Sequence, residues 1–253
     1  MREMAVAIEV NHLKKYYDGG RLKVLEDVSF QCMEKEFVSI IGPSGCGKST
    51  IFNLITGIEE ATGGKILVEG AVTDPRTPKA AYMPQRDLLL PWLRVLDNVV
   101  IGLEIDGATK KERYGRAYEY LELFGLDGFE DKYPSELSGG MKQRAAFLRT
   151  VLTEKRILLL DEPFGALDAL TRLQMQKWLL TIRQRLSRTV LFITHDIDEA
   201  IFLSDRVVVL SPRPATVLNI IDIYLPGPER KDQLLSREFT DLKKQLLEQL
   251  QIH

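Results

Sequence analysis

Phe37-Val38-Ser39-Ile40-Ile41-Gly42-Pro43-Ser44-Gly45-Cys46-Gly47-Lys48-Ser49 is the stretch on which the fold turns. Its first five residues form a short apolar run of the kind that reads as a strand buried on both faces. The octet that follows fits G-x-x-x-x-G-K-[ST], and a helical pattern continues over 48–57. A loop that cradles phosphate needs inward-facing N–H groups with no Cβ in the way, which Gly42, Gly45 and Gly47 allow, and the helix N-terminus behind it favours anions. In such a loop Lys48 reaches the β- and γ-phosphates and Ser49 ligates Mg²⁺. Pro43, Ser44 and Thr50 complete the candidate phosphate-binding set, and Cys46 reads as a small spacer in it rather than a redox centre.

Outward from this loop, apolar runs at 157–160, 189–194 and 206–210 read as further strands of a parallel core sheet. Helical patterns at 169–186 and 197–203 give the strand-then-helix order of an α/β layer. Segments 6–10, 24–31 and 65–69 read as antiparallel strands, with Gly19-Gly20 and Gly63-Gly64 as turns. From about 88 to 153 the sheet signal gives way to helical periodicity, including 110–124 with Tyr114, Ala117, Tyr118, Leu121 and Phe124 on one face. A closing helix carries Phe239, Leu242, Leu246 and Leu250, while Ser211-Pro212-Arg213-Pro214 and Pro226-Gly227-Pro228 read as turns. The expected architecture is one α/β domain over 1–253: a P-loop core at about 1–87 and 154–225 with an antiparallel β flank, a helical subdomain inserted at about 88–153, and a closing helix at about 236–250.

The chain has 253 residues, with 34 basic against 36 acidic side chains and a formal charge of −2, a balance that excludes a basic nucleic-acid binder. At 45% hydrophobic and 28% charged it is ordinary globular material. Two cysteines, Cys32 and Cys46, are too few for a disulfide framework. No secretory apolar run opens the chain, and no apolar stretch approaches the ~18 residues of a membrane helix, so work at a membrane requires a partner.

Two more motifs carry chemistry. Arg156-Ile157-Leu158-Leu159-Leu160-Asp161-Glu162-Pro163 is an apolar strand ending in two carboxylates, which downstream of a P-loop suit a Mg²⁺ shell (Asp161) and the polarising of an attacking water (Glu162). Leu137-Ser138-Gly139-Gly140-Met141-Lys142-Gln143-Arg144 opens a helical run with a hydroxyl and unobstructed N–H groups, a second anion-binding helix start. Here the chain resembles the ATP-binding cassette family, whose signature is LSGGQ; Met141 departs from it where the family most often has Gln. The resemblance extends to Gln85 in Tyr82-Met83-Pro84-Gln85 (the Q-loop, near the metal and the attacking water), Ala166-Leu167-Asp168 (the D-loop) and Thr194-His195-Asp196 (the histidine switch).

What the resemblance implies is a head-to-tail dimer in which Ser138, Gly139 and Gly140 of one subunit cover the ATP on the P-loop of another. His195 contacts the γ-phosphate and Asp168 bridges the seam nearby. An aromatic ring for adenine is expected before the P-loop; Tyr16 and Tyr17 both qualify, and Tyr16 is preferred. The apolar segment 86–99 is either subdomain core or part of a groove for a permease helix. Leu90-Pro91-Trp92, the ending from Ser211-Pro212-Arg213-Pro214 through Asp222-Ile223-Tyr224-Leu225-Pro226, and Arg237-Glu238-Phe239 resemble the importer branch for nitrate, sulfonates, taurine, bicarbonate and certain pyrimidine precursors. The expected protein is therefore an ATP- and Mg²⁺-dependent importer subunit at the cytoplasmic face of the membrane, paired with a second ATPase subunit and a permease, and served indirectly by an extracytoplasmic solute-binding protein. The alternatives are an exporter subunit, a non-transport ATPase of the same family and a regulatory module without turnover; Ser49 and Asp161 are 112 positions apart without sustained heptads, which disfavours the chromosome type.

Overall fold

The computed structural model describes residues 5–74, 76–165, 167–225 and 236–250. Antiparallel strands β1 (Val6–Tyr17) and β2 (Leu22–Met33), joined through a short turn at Asp18–Gly20, form a long hairpin. β3 (Phe37–Ile41) runs into the glycine-rich loop and α1 (Lys48–Thr56), as the sequence pattern predicts. β4 (Gly63–Val68), β5 (Ala71–Val72) and β6 (Ala80–Met83) follow. Then come α2 (Val95–Ile105), α3 (Lys110–Leu121) and α4 (Gly139–Leu152). The chain continues through β7 (Ile157–Asp161), α5 (Ala169–Leu186), β8 (Thr189–Ile193), α6 (Ile197–Leu203), β9 (Arg206–Leu210), β10 (Ala215–Asp222) and α7 (Arg237–Gln249).

The ten strands among the described residues join one sheet in the order β5-β4-β1-β2-β10-β9-β3-β8-β7-β6. The five strands from β9 to β6 are mutually parallel, and every residue of β3, β7 and β8 is buried, which is why these segments read as unbroken apolar runs. The expected α/β class, with its parallel core, antiparallel flank and helical insertion, is the observed one. Two strands of substance lacked a sequence signal. β6 is only four residues and half alanine, and β10 carries a mixed pattern of exposed and buried positions along the edge of the hairpin.

Gly63-Gly64, expected as a turn, instead opens β4. Gly64 sits at φ 81°, where a Cβ would come within 2.3 Å of the His12 carbonyl oxygen, so the glycine marks a close approach of two strands. The 226–228 turn and Ala166 lie outside the described residues.

The helical segment is pinned to the core by aromatic packing: Trp178 of α5 stands edge-on to Phe124 (4.6 Å) and Phe147 (5.3 Å) and donates its indole N–H to the Leu123 carbonyl at 2.7 Å. At the far end, α7 buries Phe239 and Leu246 against the core and pairs Lys243 with Asp198 of α6 at 2.8 Å. Cys32 and Cys46 are both buried free thiols.

Candidate nucleotide site

The carboxyl ends of parallel strands are where open α/β sheets bind ligands, and here each strand end delivers one element of the candidate site. β3 delivers the loop 42–47. Gly47 has φ 118°, and a Cβ there would collide with Val24 and Leu25 of β2, so only glycine lets the loop lie flat on the hairpin. Lys48 is 7% exposed and its ammonium donates to the carbonyls of Gly42 (2.8 Å) and Pro43 (3.1 Å), folded across the loop it belongs to. Ser49, in the first turn of α1, hydrogen-bonds Asp161.

β7 delivers the carboxylates. Asp161 is 3% exposed, and burial raises its pKa against the opposing hydrogen bonds of Ser49 and Tyr82 and the charge of Lys48. Tyr82 of β6, a residue the motif reading passed over, reaches Asp161 Oδ2 at 3.3 Å. The only sign of it in the sequence was a tyrosine three positions before Gln85.

Glu162, the next residue, sits at φ 45°, an uncommon conformation for a side chain with a Cβ and one that concentrates at functional sites. It is held there by its own N–H, which donates to the Ile193 carbonyl at 2.9 Å, and by its carbonyl, which accepts from Gly165 at 3.1 Å. Its carboxylate accepts from Gln85 Nε2 at 3.0 Å and faces His195 Nδ1 at 3.3 Å. Gln85, Asp161, Glu162 and His195, from three different strand ends, are thus brought to one place.

The ends of β8 and α5 are cross-braced. Thr194 donates to the buried Glu199 at 2.6 Å and accepts from Asp196 N at 3.0 Å, so His195 is flanked on both sides by fixed residues. Arg172 donates to the Leu167 carbonyl at 2.9 Å and lies 3.8 Å from Asp196 and 4.0 Å from Glu199. Asp168 caps α5, accepting from Leu170 N and Thr171 N, with the Thr171 hydrogen bond holding its pKa down.

The signature segment stands apart from this cluster. Ser138 caps α4 by accepting from Met141 N at 3.3 Å, and Thr171 of α5 lies against Gly140. Of the two candidate rings, Tyr16 gives its hydroxyl to Glu26 at 2.9 Å with Lys23 over its face, whereas Tyr17 bonds Glu59 and lies beside Thr50. Both remain candidates for the base, and Tyr17 is the one tied to the loop helix.

A serine hydroxyl beside a buried carboxylate is the hard-oxygen donor set that Mg²⁺ favours when phosphates and waters complete the octahedron. Among the described residues there is no cluster of three or more His, Cys, Asp or Glu that could hold a metal ion by itself.

Comparison with known proteins places this geometry in a family. The model for the ABC transporter family matches residues 25–165. The aliphatic sulfonates import ATP-binding protein SsuB of Bacillus cereus is 40% identical over 97% of this chain and 96% of its own length. The taurine import ATP-binding protein TauB of Rhizobium johnstonii is 40% identical over 94% of each. Among solved structures, the dimeric bacterial ABC transporter cassette MJ0796 superposes with a TM-score of 0.75 at 29% identity, covering 87% of this chain and all of that one. The same cassette in a post-hydrolysis state bound to ADP and Pi superposes equally well, at 30% identity. With a glycine-rich loop, paired carboxylates and a histidine at the carboxyl edge of one sheet, the chain belongs to the ABC transporter family and is an ATP-hydrolysing cassette of it.

Proposed function

We propose that this cassette drives uptake of a small sulfonate-like anion through a separate membrane permease, working as a pair of ATPase subunits on the cytoplasmic face. The import function and the sulfonate class are supported by the likeness to the sulfonate and taurine import proteins SsuB and TauB. No helix among the described residues is long and apolar enough to cross a membrane. In this reading the permease is a separate chain, and an extracytoplasmic binding protein delivers the solute to it. The working unit is one domain, with core 1–87 and 154–225, helical subdomain 88–153 and closing helix 236–250.

The observation that carries the mechanism is the Glu162 carboxylate held between Gln85 and His195, one residue beyond the buried Asp161. ATP lies along the loop, with Gly42, Pro43, Ser44, Gly45, Cys46, Gly47 and Thr50 presenting backbone and small side chains to the phosphates, Lys48 released from its own carbonyls onto the β/γ oxygens, and Tyr16 or Tyr17 against the base. Ser49, Asp161 and Gln85 would hold Mg²⁺, whose charge would offset that of the phosphates. Glu162 accepts the proton of the attacking water, and His195, braced by Thr194 and Asp196, holds the γ-phosphate oxygens. Ser138, Gly139 and Gly140 close over the partner subunit's nucleotide, with Asp168 at the seam.

The permease docks on the exposed part of segment 86–99. Leu88 (55% exposed) and Trp92 (69%) face outward, while Leu89, Val95, Leu96 and Val99 are buried, so the segment is core on one side and surface on the other. Phosphate release by the purified chain, and sulfonate uptake by vesicles holding it with its permease, test the two halves of this reading. Hydrolysis without sulfonate-stimulated uptake would leave the ATPase standing and remove the substrate class.

A further inference from the structure

The turn 211–214 between β9 and β10 has no part in the hydrolytic cluster, yet the topology puts it beside the P-loop. β9 pairs in parallel with β3, the strand that runs into the loop, and Leu210 at its end lies against Gly42. β10 pairs with β2, whose own partner β1 ends in Tyr16 and Tyr17. The turn is closed by Ser211, whose N–H donates to the Thr216 carbonyl at 3.0 Å and whose hydroxyl accepts from Thr216 N at 2.9 Å. From it Arg213 reaches back 168 residues in sequence, and Nη2 donates to the Gly45 carbonyl at 2.5 Å.

The sheet order gives this position a direction. On one side of β3 stand β8 and β7, whose ends carry His195 and Glu162, the groups for the γ-phosphate; on the other stand β9, β10, β2 and β1, ending at the two tyrosines. A nucleotide laid across this edge has its γ-phosphate toward β7 and β8 and its base toward β1. Arg213 stands between loop and base. Its guanidinium has five N–H donors, and the Gly45 carbonyl takes one. The charge also reaches the Tyr17 hydroxyl and the Cys46 thiol, where it opposes the rise in pKa that burial imposes on both. The side chain is otherwise exposed, open to the edge where the ligand lies.

We propose that Arg213 is a nucleotide-contacting residue: seated on the Gly45 carbonyl, its guanidinium meets the α-phosphate end of the bound nucleoside polyphosphate, between the P-loop and the aromatic hairpin. This rests on the ATP site proposed above. It adds a second fixed cation to Lys48, from a turn to which the resemblance assigned no site role, and a forked guanidinium suits a phosphate better than a point charge does.

Equilibrium titration of the full chain with ATP and with ADP tests it, using Arg213→Ala, Arg213→Gln and Arg213→Lys, with Lys48→Ala in parallel. Arg213→Ala is expected to weaken ATP and ADP alike by about tenfold, the scale of one charge-assisted hydrogen bond, because the α-phosphate is common to both. The gap should narrow as salt rises, Lys should restore part of it, and Gln, which keeps a donor for Gly45 without the charge, should restore little. Wild-type affinity in Arg213→Gln would overturn the proposal and reduce the residue to a brace for the loop. Loss for ATP with none for ADP would also overturn it, placing the guanidinium at the γ end. If Lys48→Ala keeps full affinity as well, the nucleotide-site reading itself fails; if only Arg213→Ala does, the failure belongs to this inference alone.

Discussion

Gln85 Nε2 donates to Glu162 Oε2 across 3.0 Å, linking the segment after β6 to the end of β7. The same carboxylate oxygen faces His195, so the base proposed for water is aimed by two neighbours from other strands. Replacing Glu162 by Gln keeps the size and removes the charge that accepts the proton. Hydrolysis, read by phosphate release, is expected to fall by roughly 10²–10⁴-fold while ATP still binds. The stalled protein should then collect as an ATP-bound dimer on size-exclusion chromatography, and adding Ser138→Arg should return it to monomer. A double variant that still dimerises counts against the head-to-tail arrangement.

Lys48→Ala removes the one ammonium that the loop wraps around itself. The carbonyls of Gly42 and Pro43 each lose one donor, while Pro43 still accepts from Cys46 N at 3.2 Å, so the loop is expected to fold but to bind nucleotide at least tenfold more weakly. Nucleotide titration measures it, and unchanged affinity would remove the P-loop assignment.

Charge placed on the outer face of segment 86–99 should separate coupling from catalysis. Trp92→Glu and Leu88→Glu are expected to leave ATP binding intact and to abolish co-purification with the permease, whereas Leu89→Glu, at 8% exposure, should compromise the fold. Variants at 88 and 92 that still assemble would move the docking surface elsewhere.

Trp178→Ala should loosen the join between the helical segment and the core. It deletes a ring packed on Phe124 and Phe147 and leaves the Leu123 carbonyl without its donor, so a loss of about 3–5 kcal/mol is expected. Thermal or urea unfolding reads this directly; a loss under about 1 kcal/mol would mean the helical segment is held by something else.

The core was legible because strands buried on both faces leave unbroken apolar runs, and the motif residues Gln85, Asp161, Glu162 and His195 do converge. What stayed hidden was made by pairing rather than by composition. β6 acquires its identity only by lying in register with β7, from Ala80 beside Ile157 to Met83 beside Leu160. Tyr82 against Asp161, and the Arg172–Asp196–Glu199 bracing behind His195, depend on which strand ends become neighbours, and no local pattern carries that information. The Asp18–Gly20 turn was readable from its glycines, while Gly64 was misread because a glycine required by a neighbouring backbone looks the same in sequence as one required by a turn.

Near the end of α4, Arg149 donates to the carbonyls of Asp87 at 2.5 Å and Leu88 at 2.8 Å, and the start of the same helix is the Ser138 cap. Eleven residues at 1.5 Å each separate these points by about 16 Å along a stiff rod. A push delivered at Leu88 by a docked permease helix would therefore arrive at Ser138 as a tilt of the whole helix, without deforming the sheet. In the dimer proposed here, the transporter's grip on its engine and the engine's grip on its twin are two ends of one lever, with a single guanidinium as the pin.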